Sequence, residues 1–211
     1  MYDLRIKSGS TITISGPSQS GKTTLVENLV EEREFIFTQP ITKVLWCCSF
    51  IPNTRIEGVT YHSGLPSDIL DLIQPHSLLI VDDLMNELSN SQLLTSLMTK
   101  VVHHLPLTLI FITQNIFHKS NDNRTRRLNT NYLILFKNPQ DKTQVDYIGR
   151  QMYPKDKLFL SLAYEDATKT PFSYLFIDSN QSTPDEIRVR SNITQNKVMN
   201  VYVPHSINIP I

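Results

Sequence analysis

Residues 16–23 read Gly-Pro-Ser-Gln-Ser-Gly-Lys-Thr, which matches the phosphate-loop pattern G-x-x-x-x-G-K-[S/T]. In this pattern the glycines let backbone N–H groups turn inward around phosphate oxygens, while the lysine reaches the β and γ phosphates. The motif requires a strand before it and a helix after it, and both are predicted, at residues 11–15 and 22–31. The chain is therefore predicted to fold around a strand–loop–helix unit that binds a nucleoside triphosphate.

The rest of the chain alternates between short apolar runs, predicted as strands, and amphipathic segments, predicted as helices. The further strands are expected at residues 43–50, 59–62, 77–83, 107–113, 131–136, 172–178 and 187–190. The further helices are expected at residues 66–72, 89–104, 139–152 and 155–168, with Asn138 as the N-cap and Pro139 as the first residue of the third. This alternation predicts an α/β fold with a mostly parallel sheet, helices on both faces and antiparallel edge strands near the C-terminus. Residues 1–190 are expected to form one domain and residues 191–211 a C-terminal arm or tail.

Composition excludes several classes of protein. Lys and Arg number 20 among the 211 residues, as do Asp and Glu, and this zero net charge argues against a histone-like coating protein. Cys47 and Cys48 are adjacent on a predicted strand and point to opposite faces, which argues against a disulfide framework and favours a reducing compartment. Neither a signal peptide nor a membrane-spanning run is expected. We therefore expect an intracellular protein.

An acidic pair follows the clearest predicted strand, where Leu78-Leu79-Ile80-Val81 leads into Asp82 and Asp83. An apolar strand that ends in acid, downstream of a phosphate loop, is the expected second half of a metal and water site. We expect Asp82 to hold Mg²⁺ together with the Thr23 hydroxyl, and Asp83 to act as the base that orients the attacking water. The structural alternative is an acidic helix cap that follows a buried strand.

A polar amide occupies a second strand end, in the segment Thr113-Gln114-Asn115. The carboxyl ends of neighbouring parallel strands face the same crevice, so Gln114 is expected to contact the γ-phosphate or the lytic water. An ordinary turn at the end of a strand is the alternative interpretation.

Basic residues concentrate in the segment 118–157, which holds nine Lys or Arg against four Asp, whereas the rest of the chain holds 11 against 16. The cluster Arg124-Thr125-Arg126-Arg127 lies in a predicted loop. One of these arginines would suit a finger that stabilises γ-phosphate charge in a neighbouring subunit, and others would suit contacts with a nucleic-acid backbone. The alternative is a solvated basic loop.

The sequence argues against a guanine-specific nucleotide site and against a metal site made of histidine and cysteine. The block Lys137-Asn138-Pro139-Gln140-Asp141 has the wrong order for the guanine-reading Asn-Lys-x-Asp of GTPases, and no Asp-x-x-Gly follows the strand that contains Ile80. The six histidines and two cysteines show no metal-ligand spacing.

Four segments, taken in order, resemble the genome-packaging ATPases of double-stranded DNA viruses. They are Gly-Pro-Ser-x-Ser-Gly-Lys-Thr, Leu-Ile-Val-Asp-Asp-Leu-Met, Ile-Phe-Ile-Thr-Gln-Asn-Ile-Phe-His and Leu-Phe-Lys-Asn-Pro-Gln-Asp. The chain most resembles the short forms in adintoviruses and other Maverick or Polinton-type elements, with poxvirus and adenovirus enzymes as more distant members of the FtsK–HerA superfamily. The resemblance runs from about residue 11 to residue 192. The Thr-Gln-Asn and Lys-Asn-Pro-x-Asp blocks together are more specific than the phosphate loop alone.

The resemblance implies a RecA-like ASCE core of three αβα layers, with ATP and Mg²⁺ as cofactors. It implies a homo-oligomeric ring of five or six subunits that pumps double-stranded DNA into a preformed capsid, docked on a vertex, membrane or portal component. Such a protein would work in the host nucleus or cytoplasm, or would be attached to the virion.

By position, the resemblance assigns roles to the residues already singled out. Lys22 and Thr23 match the Walker A motif, Asp82 and Asp83 the Walker B metal ligand and base, and Gln114 the polar residue after the fourth core strand. Arg124 matches the arginine that acts in trans. The nucleotide-binding residues are then Gly16, Pro17, Ser18, Gln19, Ser20, Gly21, Lys22, Thr23 and Thr24. The chain departs from many relatives at Asp83, where Glu is usual, and this departure bears on the base rather than on nucleotide binding.

Two other functions fit a phosphate loop on a chain of this length. A nucleoside or nucleotide kinase would need an acceptor site and an arginine-bearing lid, for which residues 124–127 are a candidate. A nucleotide-binding switch module would retain the site without hydrolysis.

Overall fold

A computed structural model of the chain describes residues 2–84, 106–116, 130–195 and 198–205. Its strands are β1 Thr11–Ser15, β2 Lys43–Cys48, β3 Val59–Ser63, β4 Ser77–Asp82, β5 Thr108–Thr113, β6 Tyr132–Phe136, β7 Tyr174–Asp178, β8 Val189–Ser191 and β9 Val201–Tyr202. Its helices are α1 Lys22–Glu31, α2 Arg33–Ile36, α3 Ile69–Leu72, α4 Thr143–Met152 and α5 Phe159–Ala167, with a short 3-10 turn at Asp185–Ile187. Within these ranges no helix combines the length and apolar character that a membrane span needs.

The strands form one sheet in the order β3-β2-β4-β5-β1-β6-β7-β8-β9. The strands from β3 to β6 in this order run parallel, and β7, β8 and β9 each pair antiparallel with the strand before. This arrangement confirms the predicted α/β fold with a mostly parallel sheet and antiparallel edge strands. Its main consequence for the site is that β5 lies between β1, which leads into the phosphate loop, and β4, which leads into the acidic pair.

Helices cover both faces of the sheet because side chains alternate along every strand. One face packs on α1 and α2 through residues such as Leu25, Val26 and Ile36. The opposite face packs on α3 at its β2–β4–β5 end and on α4 and α5 at its β6–β7–β8 end. Cys48 belongs to the first core and Cys47 to the second, so the adjacent thiols do point to opposite faces, and both are free.

The start of α4 corrects one prediction. The helix begins at Thr143, not at Pro139, and Asn138 is not its N-cap. The Asn138 side chain instead accepts a hydrogen bond from the Gln140 backbone at 3.1 Å, which closes a turn. Asp141 Oδ1 accepts from the Thr143 backbone N–H at 3.0 Å, so this carboxylate serves the first turn of the helix. An Asn-Pro pair is compatible with both a turn and a helix start. Here it forms a turn, and the helix begins after Asp141.

Some predicted elements differ at their ends or lie outside the described residues. The helix predicted at 155–168 is shorter, because turns occupy the residues before Phe159, and α3 covers only the last part of the predicted 66–72 helix. The helix predicted at 89–104 and most of the basic loop fall outside the described ranges.

The C-terminal segment extends the sheet. The strand β8 continues through Ser191 and pairs with β9 at Val201–Tyr202, so the sheet does not end at residue 190. Ile193 and Thr194 are buried. The predicted boundary after residue 190 therefore falls inside β8, while the division into a domain and an arm stays a prediction.

A buried arginine joins the N-terminal segment to the antiparallel edge. Arg190 on β8 is 1% exposed, and its guanidinium donates to the Leu4 carbonyl at 2.8 Å and lies 3.5 Å from Asp178 Oδ2. Its Cζ also sits 4.7 Å from the centre of the Phe176 ring. Burial lowers the pKa of this guanidinium, and the Asp178 carboxylate opposes that effect. Each charge of this buried pair therefore offsets the desolvation cost of the other.

We predict that Arg190→Met lowers the free energy of unfolding by about 3 kcal/mol, because the buried Asp178 carboxylate loses its cation. Urea denaturation measures the change. Lys142→Met is the matched control, since it removes one partner of the exposed Lys142–Glu165 pair and should lower stability far less than Arg190→Met does. Equal effects of the two substitutions would contradict the prediction.

Candidate functional site

The loop after β1 can adopt its path only with glycine at two positions. A Cβ on Gly16 would lie 2.6 Å from Phe136 Cβ and 2.8 Å from Ser20 Oγ, closer than packed atoms approach. Gly21 has a φ of 99°, in the region that side chains disfavour, and it is the N-cap from which α1 begins. Within the described part of the chain, the buried Ser20 hydroxyl has no hydrogen-bond partner. The loop is therefore a tight turn with an unused donor, as an anion site requires.

Lys22 folds back over this loop. Its ammonium donates to the carbonyl oxygens of Gly16 and Pro17, each at 2.8 Å. Burial lowers the pKa of Lys22, and the nearby Asp82 and Asp83 carboxylates act in the opposite direction. The cation thus sits between the loop and the acidic pair, held by weak neutral acceptors that a phosphate oxygen can replace.

Asp82, at the end of β4, is partly buried. Burial has the largest effect on its pKa and raises it. A hydrogen bond from the Trp46 side chain and the Lys22 ammonium lower this pKa, whereas the Asp83 and Glu27 carboxylates raise it. The ionised carboxylate is therefore destabilised where it stands, and a further cation would relieve that cost. Asp82 and the exposed hydroxyl-bearing Thr23 offer the hard oxygen ligands that Mg²⁺ prefers, so the residues fit this ion.

The end of β5 connects the two halves of the site. The Gly16 N–H donates to the Thr113 carbonyl at 3.3 Å, and the Asp83 N–H donates to the Ile112 carbonyl at 3.2 Å. Directly beyond, Gln114 Nε2 donates to Asp83 Oδ2 at 3.1 Å. Asp83 has a φ of 54°, an uncommon conformation that aspartate tolerates better than most residues. The structure thus brings the predicted residues Lys22, Asp82, Asp83 and Gln114 to one crevice.

Two further hydrogen bonds link the segment after β5 to the segment before α4. The Ile116 N–H donates to the Gln144 side-chain oxygen at 3.4 Å, and Gln144 Nε2 donates to Asp141 Oδ2 at 2.7 Å. The Thr-Gln-Asn block after β5 and the Lys-Asn-Pro-x-Asp block before α4 are therefore joined in space through Gln144.

Sequence reasoning missed three side chains of this region. Trp46 on β2 donates a hydrogen bond to Asp82, and the Glu27 carboxylate on α1 raises the pKa of Asp82. Phe172 lies beside Gly21. The signal for Trp46 was its place on a strand now seen to pair with β4, while Phe172 carried no motif. Arg124, Arg126 and Arg127 lie outside the described residues.

Comparisons with known proteins give a fold. No family model and no curated protein matches the chain. The genome packaging NTPase B204 of Sulfolobus turreted icosahedral virus 2, solved with sulfate, superposes with a TM-score of 0.54 at 12% identity, over 92% of this chain and 96% of that one. The same NTPase with ATP-gammaS gives 0.48 at 13% identity, covering 93% and 98%. A KaiC-like protein from Pyrococcus horikoshii gives 0.43 at 11% identity, covering 92% and 90%. Together with the site, the first of these likenesses shows that the chain has the P-loop NTPase fold.

We predict that Asp82→Asn raises the free energy of unfolding by on the order of 1 kcal/mol at neutral pH without Mg²⁺ or nucleotide, because it removes a penalised charge. The folded-state pKa of Asp82 is raised, so the wild type loses stability as pH rises from the ordinary carboxyl value of 3.8 through that raised pKa. The advantage of the variant should therefore appear across that window and vanish below it.

Urea denaturation of both proteins at several pH values measures this difference. Asp68→Asn is the matched control, since the Asp68 carboxylate is exposed and lies outside the site, and its removal should change stability by less than about 0.5 kcal/mol. An advantage that grows toward acid pH would contradict the assignment.

Proposed function

We propose that this protein is an ATP-driven motor that moves double-stranded viral DNA into a preformed capsid. The single observation that carries the hydrolytic part is the 3.1 Å hydrogen bond from Gln114 to Asp83, beside the loop that holds Lys22. An amide and a carboxylate that share one crevice with a phosphate loop can orient and deprotonate a water next to the terminal phosphate.

Each side chain has a distinct task in this proposal. The Lys22 ammonium exchanges its bonds to the Gly16 and Pro17 carbonyls for bonds to phosphate oxygens. Thr23 and Asp82 would hold Mg²⁺, which when bound neutralises charge on the β and γ phosphates. Asp83 accepts the proton of the attacking water, and Gln114 orients that water while it also positions Asp83.

The packaging role has different support. It draws on the four motif segments in their order and on the superposition of B204, a genome packaging NTPase, over nearly the full length of both chains. We further propose that the subunits form a ring of five or six, that Arg124 completes the site of the neighbouring subunit, and that other basic residues grip the DNA backbone without reading sequence. The partners would be double-stranded DNA and a capsid component, in the infected cell or on the virion.

We predict that the purified protein hydrolyses ATP in the presence of Mg²⁺ and that double-stranded DNA stimulates the rate. Lys22→Ala and Asp83→Asn should each lower the rate by roughly 100-fold or more, the first through lost phosphate contacts and the second through the lost base. Phosphate release with and without DNA, at two salt concentrations, is the measurement, and high salt should weaken the stimulation.

Thr60→Ala is a suitable control, because Thr60 is exposed on the edge strand β3 and lies outside the site. Hydrolysis that DNA leaves unchanged, together with phosphate transfer to an added nucleoside, would replace the motor with a kinase. Nucleotide binding without turnover would indicate a switch module.

The ring is tested through Arg124. We predict that Arg124→Ala lowers ATP hydrolysis by roughly 1000-fold or more, as loss of an arginine finger does. Mixing it with the Lys22→Ala protein should restore part of the activity, because some interfaces then combine an intact loop with an intact arginine. Arg126→Ala and Arg127→Ala are the matched controls. Activity that is not restored by mixing would refute a site shared between subunits.

A further inference from the structure

A cleft of about 460 Å³ opens on the α1 side of the phosphate loop. Its walls come from the loop and the first turns of α1, from the turn before β7 and from the segment after β8. Its lining includes Gly21, Asn28, Phe172, Tyr174 and Thr194. The volume lies in the range of small-molecule sites, and the cleft is continuous with the loop proposed to hold phosphates.

Phe172 is an anomaly in this cleft. It is 66% exposed, although it is a large apolar residue, and its φ of 64° lies in the left-handed region. The turn explains the backbone: the Ser173 N–H donates to the Thr170 carbonyl at 3.2 Å, with Pro171 and Phe172 as the central residues. A turn with proline first and positive φ second favours glycine or asparagine at the second position. A phenylalanine there costs free energy both in its backbone and in its exposed ring.

The position of the ring suggests what offsets that cost. Phe172 Cβ and Cδ1 each lie 3.3 Å from the point where a Cβ on Gly21 would stand, so the side chain packs directly over the phosphate loop. The ring therefore stands at the edge of the anion site with most of its surface uncovered. A flat apolar ligand that is tethered to phosphates would cover it.

The opposite wall is held in place by the C-terminal segment. The Tyr174 hydroxyl accepts a hydrogen bond from the Ile193 N–H at 3.0 Å, and the Gln195 N–H donates to Glu32 Oε2, just beyond α1, at 3.0 Å. These bonds fix Thr194 against the cleft, and Asn28 adds an amide from α1. The cleft is thus a formed site with one aromatic face and polar groups on the facing walls, as nucleobase sites commonly are.

We propose that Phe172 stacks on the purine base of the nucleotide whose phosphates bind the Gly16–Thr23 loop. This inference rests on the proposed nucleotide binding and adds the part of the site that recognises the base. Stacking on a single aromatic ring accepts any purine face, so the ring supplies affinity more than discrimination between adenine and guanine.

The test compares two ligands by calorimetry in the presence of Mg²⁺: a non-hydrolysable ATP analogue, and inorganic tripolyphosphate, which has no base. Phe172→Gly should lower the affinity for the ATP analogue by on the order of 10- to 100-fold and leave the tripolyphosphate affinity within about twofold. Glycine suits the positive φ, so this variant should fold. Phe172→Trp should keep the wild-type affinity for the analogue within about threefold.

Phe50→Gly is the matched control, because Phe50 is 90% exposed and lies outside the cleft, and it should change neither affinity. A wild-type protein that binds tripolyphosphate as tightly as the analogue would overturn the base site alone. The same holds if Phe172→Gly weakens both ligands equally. A wild-type protein that binds neither ligand would overturn the nucleotide site itself, and the base site with it.

Discussion

The site depends on two backbone hydrogen bonds at the end of β5. The Thr113 carbonyl accepts from the Gly16 N–H, and the Ile112 carbonyl accepts from the Asp83 N–H. Since β5 pairs in parallel with β1 on one side and with β4 on the other, these bonds bring the phosphate loop and the acidic pair to the same level at one sheet edge. Without a strand between them, Gln114 would have no position from which to reach Asp83. The close approach of the phosphate loop, Asp83 and Gln114 is therefore a consequence of strand order.

Charge accounts for the next level of organisation. Burial penalises the charged forms of both Lys22 and Asp82, and each carboxylate or ammonium nearby relieves part of that cost for its opposite. The arrangement lowers the stability of the fold, because a carboxylate beside Glu27 and Asp83 is only partly compensated. Such a cost is expected at a site that binds a cation, because the added positive charge would offset it.

Much of this architecture could be predicted from local sequence pattern, and the exceptions share a cause. The loop, α1, β4 and β5 follow from glycine spacing and from apolar runs of about one strand length, so the positions of Asp82, Asp83 and Gln114 at neighbouring strand ends could be predicted. Strand order and the contact between Trp46 and Asp82 depend on pairing between distant segments, which periodicity does not encode. Asn138 shows the local limit, because an Asn-Pro pair suits a turn as well as a helix start. Phe172 carried no signal, since its unusual feature is a positive φ angle that its residue type does not indicate.

The two most specific motif blocks acquire a common physical meaning from Gln144. It joins Ile116, three residues beyond Thr113, to Asp141 at the start of α4. The segment from Gln114 to Ile116 is short and held at both ends, by Asp83 at the site and by Gln144 behind it. Because the segment is tethered at both ends, any displacement of Gln114 would have to be accommodated at the Asp83 contact or at the Gln144–Asp141 contact before α4.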